Sequence, residues 1–191
     1  MQSMDHRRAG SGLTLIELMI TLIIGAILLA LAVPQMREYI ARTRVSGIAT
    51  ELAADIRLAR SMVQQQNQPI WINFGSTVDF TCYVLYTQGG GRDCDCARTL
   101  TSMCDAATDA PIALRSVFIK RNTGIVVTSL ATRVLYKESV GAPEAYPRGT
   151  SAVAEVNGGS LGGSVKLIMS GLTRATLCSV AGHTAEFGAC Q

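Results

Sequence analysis

Histidine is nearly absent from this 191-residue chain, which holds only His6 and His183. That excludes metal sites built from several imidazoles and removes the usual residue for acid–base catalysis near neutral pH. Aromatic residues are also scarce, at 5% with a single tryptophan, which argues against a dense enzyme core. Charge is thin as well. Charged residues are 16% of the chain, and 17 basic against 14 acidic side chains leave a net +3. A balance so mild does not announce a nucleic-acid protein, and with so little charge the chain is not of the disordered class. Five prolines exclude a collagen-like chain. What is plentiful is apolar surface: 48% hydrophobic residues, and a mean hydropathy of +0.28. The length fits one ordinary domain with an appendage.

The apolar residues are concentrated near the start. From Leu13 to Val33 the only charge is Glu17. A helix over that run reaches roughly 30 Å, one bilayer core. A polar leader, Met1 to Gly12, precedes it with His6, Arg7 and Arg8, and Arg37, Arg42 and Arg44 follow it. A secretory signal would have a shorter apolar core and a small-residue cleavage site. A plain membrane anchor fits the length but leaves Glu17 unexplained, unless the carboxylate snorkels to the interface. Unpaired at the bilayer centre it costs about 2.5–3.5 kcal/mol.

The stretch Gly12-Leu13-Thr14-Leu15-Ile16-Glu17 resembles the type IV prepilin signature. The resemblance implies cleavage between Gly12 and Leu13 by a prepilin peptidase, which then methylates the new amino terminus of Leu13. It also implies a role for Glu17, whose carboxylate would neutralise the amino terminus of a neighbouring subunit and offset the burial of both charges. Pro34 stands where pilins commonly carry a helix-bending proline, whereas Leu13 replaces the commoner Phe. Arg7 and Arg8 favour a cytoplasmic leader, the three arginines beyond Val33 oppose it, and the signature decides for a C-terminal region outside the membrane.

Past Pro34 the helical period persists. Ile40, Val45, Ile48, Leu52, Ile56, Ala59, Met62 and Val63 recur three or four apart. Glu51, Asp55, Arg57 and Arg60 read as the solvent face, and Asn67-Gln68-Pro69 ends the helix. One helix from Leu13 to about Asn67 would be roughly 80 Å long. Strands are expected at 69–74, 78–87, 114–120, 124–129, 133–137, 165–169 and 174–180. Arg121-Asn122-Thr123 and Ser170-Gly171 read as hairpin connections. Residues 138–163, with Pro143, Pro147 and six glycines, read as a long surface loop. The fold class is α+β: a long N-terminal α-helix, transmembrane in its first half, packed on an antiparallel β-sheet domain, as in pilins. The organisation is a leader at 1–12, a membrane or filament-core helix at 13–33, its amphipathic half at 34–67 and a β-rich periplasmic domain at 68–191.

Leu58-Ala59-Arg60-Ser61 followed by Gln64-Gln65-Gln66-Asn67-Gln68-Pro69-Ile70 resembles the GspH/FimT branch of minor pilins and pseudopilins, as does the late Ser170-Gly171-Leu172-Thr173-Arg174 segment. This implies a structural subunit of a type IV pilus or a type II secretion pseudopilus, held in the inner membrane. Its partners would be other pilins, the prepilin peptidase and the inner-membrane assembly platform. FimT-like relatives bind DNA during uptake through a Gly-Arg-x-Arg stretch. Here Gly171-Leu172-Thr173-Arg174 keeps one of those arginines, so Arg174 and Lys166 support weak DNA contact at best.

Six cysteines, Cys82, Cys94, Cys96, Cys104, Cys178 and Cys190, fit an oxidising compartment. Cys94-Asp95-Cys96 with Cys104 lacks the usual two-residue gap of a zinc site, so disulfides are expected and no metal or cofactor is. Six cysteines allow 15 connectivities. Cys178 and Cys190 are expected to pair because the tail folds back at low closure cost, and Cys94 is not expected to pair with Cys96. Gly158-Gly159-Ser160-Leu161-Gly162 matches a nucleophile-elbow pattern, but no acid lies between Ser160 and His183. Gly89-Gly90-Gly91 lacks the ending of a phosphate loop, and His183 reads as a surface residue. No active site is expected.

Overall fold

The computed structural model describes residues 14–66, 68–87, 93–98, 103–104, 110–130, 133–136, 143–146, 152–170, 174–180 and 186–190; for 133–136, 143–146, 170 and 174 it describes the backbone alone. Helix α1 is Leu15–Gln66, with Pro34 inside it. The chain divides into two compact units, one ending at Arg37 and one beginning at Glu38.

The described residues of the first unit, from Leu15 onward, are all helix. Thr14 caps it: its Oγ1 accepts the Glu17 backbone N–H at 3.3 Å, and the Leu18 N–H reaches the Thr14 carbonyl at 3.2 Å. Thr14-x-x-Glu17 has the spacing of a capping box, and the threonine half of it is formed.

In the second unit, α1 buries Val45, Ala49, Leu52, Ala53, Ile56, Ala59 and Val63, a stripe with the three-four spacing of one helix face. Two antiparallel sheets cover it. The first has the order β3-β2-β1-β5-β6, with β1 Ile70–Ser76, β2 Phe80–Thr87, β3 Ile112–Lys120, β5 Arg133–Tyr136 and β6 Pro143–Tyr146. The second has the order β4-β7-β8-β9, with β4 Val126–Ser129, β7 Ala152–Asn157, β8 Ser164–Ser170 and β9 Arg174–Ser179. Ile70, Ile72, Tyr83 and Leu85 from the first sheet meet Val127, Val153, Val156, Val165 and Leu167 from the second in the same core as the helix stripe. Thr81 Oγ1 accepts the Val127 N–H at 3.2 Å, a bond between the sheets.

Strand β2 is buried on both faces, which is why it reads as a continuous apolar run. Tyr83 and Leu85 face the main core. Cys82, Val84 and Tyr86 belong, with Trp71, Cys94, Cys96 and Met103, to a second core on the other face. Residues 93–98 with Met103 and Cys104 supply its cover among the described residues. Disulfides Cys82–Cys96 and Cys94–Cys104 hold this cap, and the Asn73 side-chain amide donates to the Cys94 carbonyl at 2.9 Å. Gly75 makes room for it, since a Cβ there would lie 3.0 Å from Cys96 Sγ and from Ala97. The third disulfide, Cys178–Cys190, folds the tail along β9, where Ser179 and Ala189 form a parallel bridge. Ser46 of α1 donates to Glu186 of that tail, and Phe187 packs on the main core.

Three expectations need correction. Residues 112–120 and 126–129 do not form a hairpin: β3 pairs with β2, and β4 with β7 in the other sheet. The connection is a 3-10 turn, Arg121–Thr123, closed by Gly124 at φ 76°, and Arg121 is pinned to the Thr77 carbonyl and Ser76 Oγ at 2.9 and 2.7 Å. This geometry passes the chain from one sheet to the other instead of reversing it. Second, 138–163 is not one long loop, because it contains β6, β7 and a short helical turn, α2, at Gly159–Gly162. Val153, Ala154 and Val156 of β7 are fully or almost fully buried. Third, Asp55 does not face solvent, as described below.

Candidate functional site

Two carboxylates on α1 stand in apolar surroundings, and the chain treats them differently. Glu17 belongs to the first unit, at the head of an apolar run whose side chains are uncovered: Leu15 is 77% exposed and Leu31 66%. Among the described residues, this is the one helix long and apolar enough to cross a membrane, and none of its most apolar window is buried. The Glu17 backbone is held by the Thr14 cap, and no hydrogen bond or ion pair to its carboxylate is made among the described residues. Gly12 and Leu13 lie outside the described residues. Pro34 removes one N–H from the helical ladder at the end of this run, and α1 continues through it.

Asp55 belongs to the second unit and is 4% exposed. Its Oδ2 accepts the Tyr83 hydroxyl at 2.8 Å and Arg115 Nε at 2.7 Å, and Arg115 Nη2 donates to Glu51 at 2.9 Å. Helix α1 is thus tied to β2 and β3 by a fully partnered charge. Burial drives the Tyr83 hydroxyl pKa far above its ordinary value, and the adjacent Asp55 carboxylate adds to the effect by accepting its hydrogen bond and by its negative charge. The hydrogen bond and charge of Asp55 also raise the Arg115 pKa. The signal for this latch lies in the spacing Leu52, Asp55, Ile56, Ala59, which puts Asp55 inside the apolar stripe.

The glycine-rich segment carrying Ser160 is packing. A Cβ on Gly158 would lie 2.4 Å from Val45 Cγ2 of α1, and one on Gly162 would lie 3.0 Å from the same atom. Only glycine lets this turn approach the helix so closely. Ser160 lies inside the single helical turn α2, between β7 and β8. His183 and Gly89–Gly91 lie outside the described residues.

The two residues expected to contact DNA fall on β8 and β9. Lys166 Nζ lies 3.9 Å from Glu155 on β7, and both are partly buried. Arg174 is described in its backbone only, at the start of β9 opposite Ser170. Two shallow apolar clefts of about 420 and 480 Å³ flank Phe118. Phe80 meets Phe118 edge-on at 5.3 Å beside the first.

Known proteins match part of this chain. Residues 7–33 match the model of the prokaryotic N-terminal methylation motif. Two curated relatives, both named fimbrial protein and both from Pseudomonas aeruginosa, are 45% identical over 56 residues. That stretch is 29% of this chain, and the chain spans 36% of the relatives' length. No solved structure matches the chain significantly. Motif, relatives and the layout of one long helix on antiparallel sheets agree, and the chain is type IV pilin-like.

Proposed function

We propose that this chain is a structural subunit, a minor pilin or pseudopilin, that anchors in the inner membrane through residues 13–33 and assembles through α1 into a type IV pilus or a type II secretion pseudopilus. The observation that carries the proposal is the run from Leu15 to Val33: a capped helix whose only charge is Glu17 and whose apolar surface the described residues leave uncovered. Such a surface needs lipid or other apolar helices around it. The match to the methylation motif over 7–33 supports a processing step. The leader would be cut between Gly12 and Leu13, and the methylated amino terminus of Leu13 would meet Glu17 of a neighbouring subunit within the bundle. A charge pair shared between subunits favours assembly over the solitary subunit, in which Glu17 has no partner among the described residues. Residues 38–191 then lie on the periplasmic side, where disulfides persist. The partners are other pilins, the prepilin peptidase and the inner-membrane assembly platform, and the role is structural rather than catalytic. FimT-like DNA uptake is the alternative, and Lys166 supports it less because Glu155 already faces it.

Mass spectrometry of the membrane-extracted protein tests the proposal. Loss of Met1–Gly12 and a methylated Leu13 are expected. An intact leader in cells that contain the peptidase would refute it.

A further inference from the structure

Two of the three disulfides are interleaved along the chain. Cys82 is joined to Cys96 and Cys94 to Cys104, so each bridge begins or ends inside the other. Joining cysteines in the order in which they occur would instead give Cys82–Cys94 and Cys96–Cys104. Cys178–Cys190, by contrast, joins two cysteines that are neighbours in sequence.

Chain entropy does not select the interleaved set. Its bridges span separations of 14 and 10 residues, whereas the in-order bridges would span about 12 and 8. Closure probability falls roughly as the −3/2 power of loop length, so the unfolded chain forms the in-order set roughly twice as often. Cys94 and Cys96, separated by one residue, are too constrained to bond to each other.

Only the folded cap distinguishes the two sets. Cys94 and Cys104 face each other as an antiparallel bridge pair, the Asp95 N–H donates to the Met103 carbonyl at 2.7 Å, and Asn73 holds the Cys94 carbonyl. Exchanging the roles of Cys94 and Cys96 slides the segment two residues along β2 and loses these bonds. In the closed cap Cys82, Cys94 and Cys96 are buried, at 1% exposure or less. An attacking thiolate needs access, so the pairing must be corrected before the cap closes.

We propose that maturation of this chain includes a thiol–disulfide isomerisation that converts the in-order bridges into Cys82–Cys96 and Cys94–Cys104. The in-order bridges form first, each by transfer of two electrons and two protons to a disulfide oxidant, which leaves as two thiols. An external thiolate then attacks Cys104 Sγ, forming a mixed disulfide and releasing the Cys96 thiolate. Cys96 attacks Cys82 Sγ, forming Cys82–Cys96 and releasing the Cys94 thiolate. Cys94 attacks Cys104 Sγ, forming Cys94–Cys104 and regenerating the external thiolate. No net oxidation occurs in these three steps. The partner is a thiol of low pKa kept reduced in an oxidising compartment. Cys178–Cys190 needs no such step, which makes it an internal control.

The test uses the full chain in detergent, reduced and unfolded, then oxidised by diamide alone or by diamide followed by reduced glutathione. Proteolysis before Asp95 and after Arg98 separates Cys94, Cys96 and Cys104 for peptide mapping. Trp71, the single tryptophan, lies under the cap and is 8% exposed, so its emission reports cap closure. Diamide alone is expected to give the in-order set over the interleaved set by about two to one, with red-shifted emission and complete Cys178–Cys190. Glutathione is expected to convert the set and shift the emission to the blue. Full interleaved pairing under diamide alone, or an in-order set that glutathione fails to convert, would overturn the proposal. In the variant C94S/C104S, Cys82 and Cys96 have no competitor within the cap and are expected to bond without glutathione. A persistent requirement for the thiol in that variant would also overturn it.

Discussion

The two halves of α1 place one carboxylate each among apolar side chains, and the outcomes are opposite. Asp55 finds Tyr83 and Arg115 within the chain and becomes part of the core. Among the described residues Glu17 has only its backbone cap, in a helix whose apolar side chains are exposed. The difference shows that a carboxylate among apolar side chains stabilises the fold only where its partner is in the same molecule. A carboxylate satisfied internally contributes to the stability of the monomer. One left without a partner contributes only when a second molecule brings the cation.

The comparison is broken most severely at Asp55. Asp55→Ala leaves the Tyr83 hydroxyl without its acceptor and Arg115 without its buried partner, and about 3 kcal/mol of stability should be lost. Arg115 is 42% exposed and recovers some hydration, which holds the loss to the low end of the range for broken buried pairs. Chemical unfolding of the detergent-solubilised protein, followed by circular dichroism, measures it.

The same half of α1 is sensitive to its close approach with the 158–163 turn. Gly158→Ala drives a methyl into Val45 Cγ2 and should cost about 1–3 kcal/mol in the same assay. Gly159→Ala meets no atom but sits at φ 68°, so its smaller penalty isolates backbone strain from packing.

High pH weakens the Asp55 latch through Tyr83. The folded hydroxyl titrates far above the unfolded one, so this contribution is complete below about pH 10 and declines as pH rises past it. The unfolded chain then binds fewer protons than the folded chain. The slope should be about −1.4 kcal/mol per pH unit above pH 10, and Tyr83→Phe should remove that part of it. Denaturant titrations at a series of alkaline pH values read it directly.

Glu17→Val should change monomer stability by no more than about 0.5 kcal/mol, because no contact within the described chain is lost. Incorporation into sheared filaments should nevertheless fall, as immunoblotting would show. Normal incorporation would break the comparison, since Glu17 would then do no more than snorkel. The smallest effect is expected for Lys166→Gln in DNA binding by gel shift. Weak affinity, lost at physiological salt, should decline only slightly, because Glu155 already offsets the lysine charge. Strong Lys166-dependent binding at physiological salt would favour DNA uptake as the function.

The helix, most strands and the Cys178–Cys190 bridge were legible in the sequence because each rests on local information. For the helix it is a period of three to four closed by Asn67-Gln68-Pro69, for the strands β-branched runs, and for the bridge a short loop at the chain end. The β7 segment Ala-Val-Ala-Glu-Val-Asn was not legible, since six residues between glycine-rich stretches carry little strand signal until β4 and β8 pair with them. The apparent hairpin at Arg121–Thr123 misled for a related reason. Turn residues show that the chain changes direction, but which sheet receives the next strand depends on distant pairing.

The N-terminal helix, the single charge Glu17 of its apolar run up to Val33 and the methylation motif were determined by sequence alone, because propensity, apolar run length and capping act over a few residues. The partition of the strands into two sheets, the burial of Asp55, the use of Gly158 against Val45 and the interleaved Cys82–Cys96 and Cys94–Cys104 bridges were decided only by tertiary structure. Each depends on residues distant in sequence meeting at 2–6 Å, and local spacing does not encode such encounters.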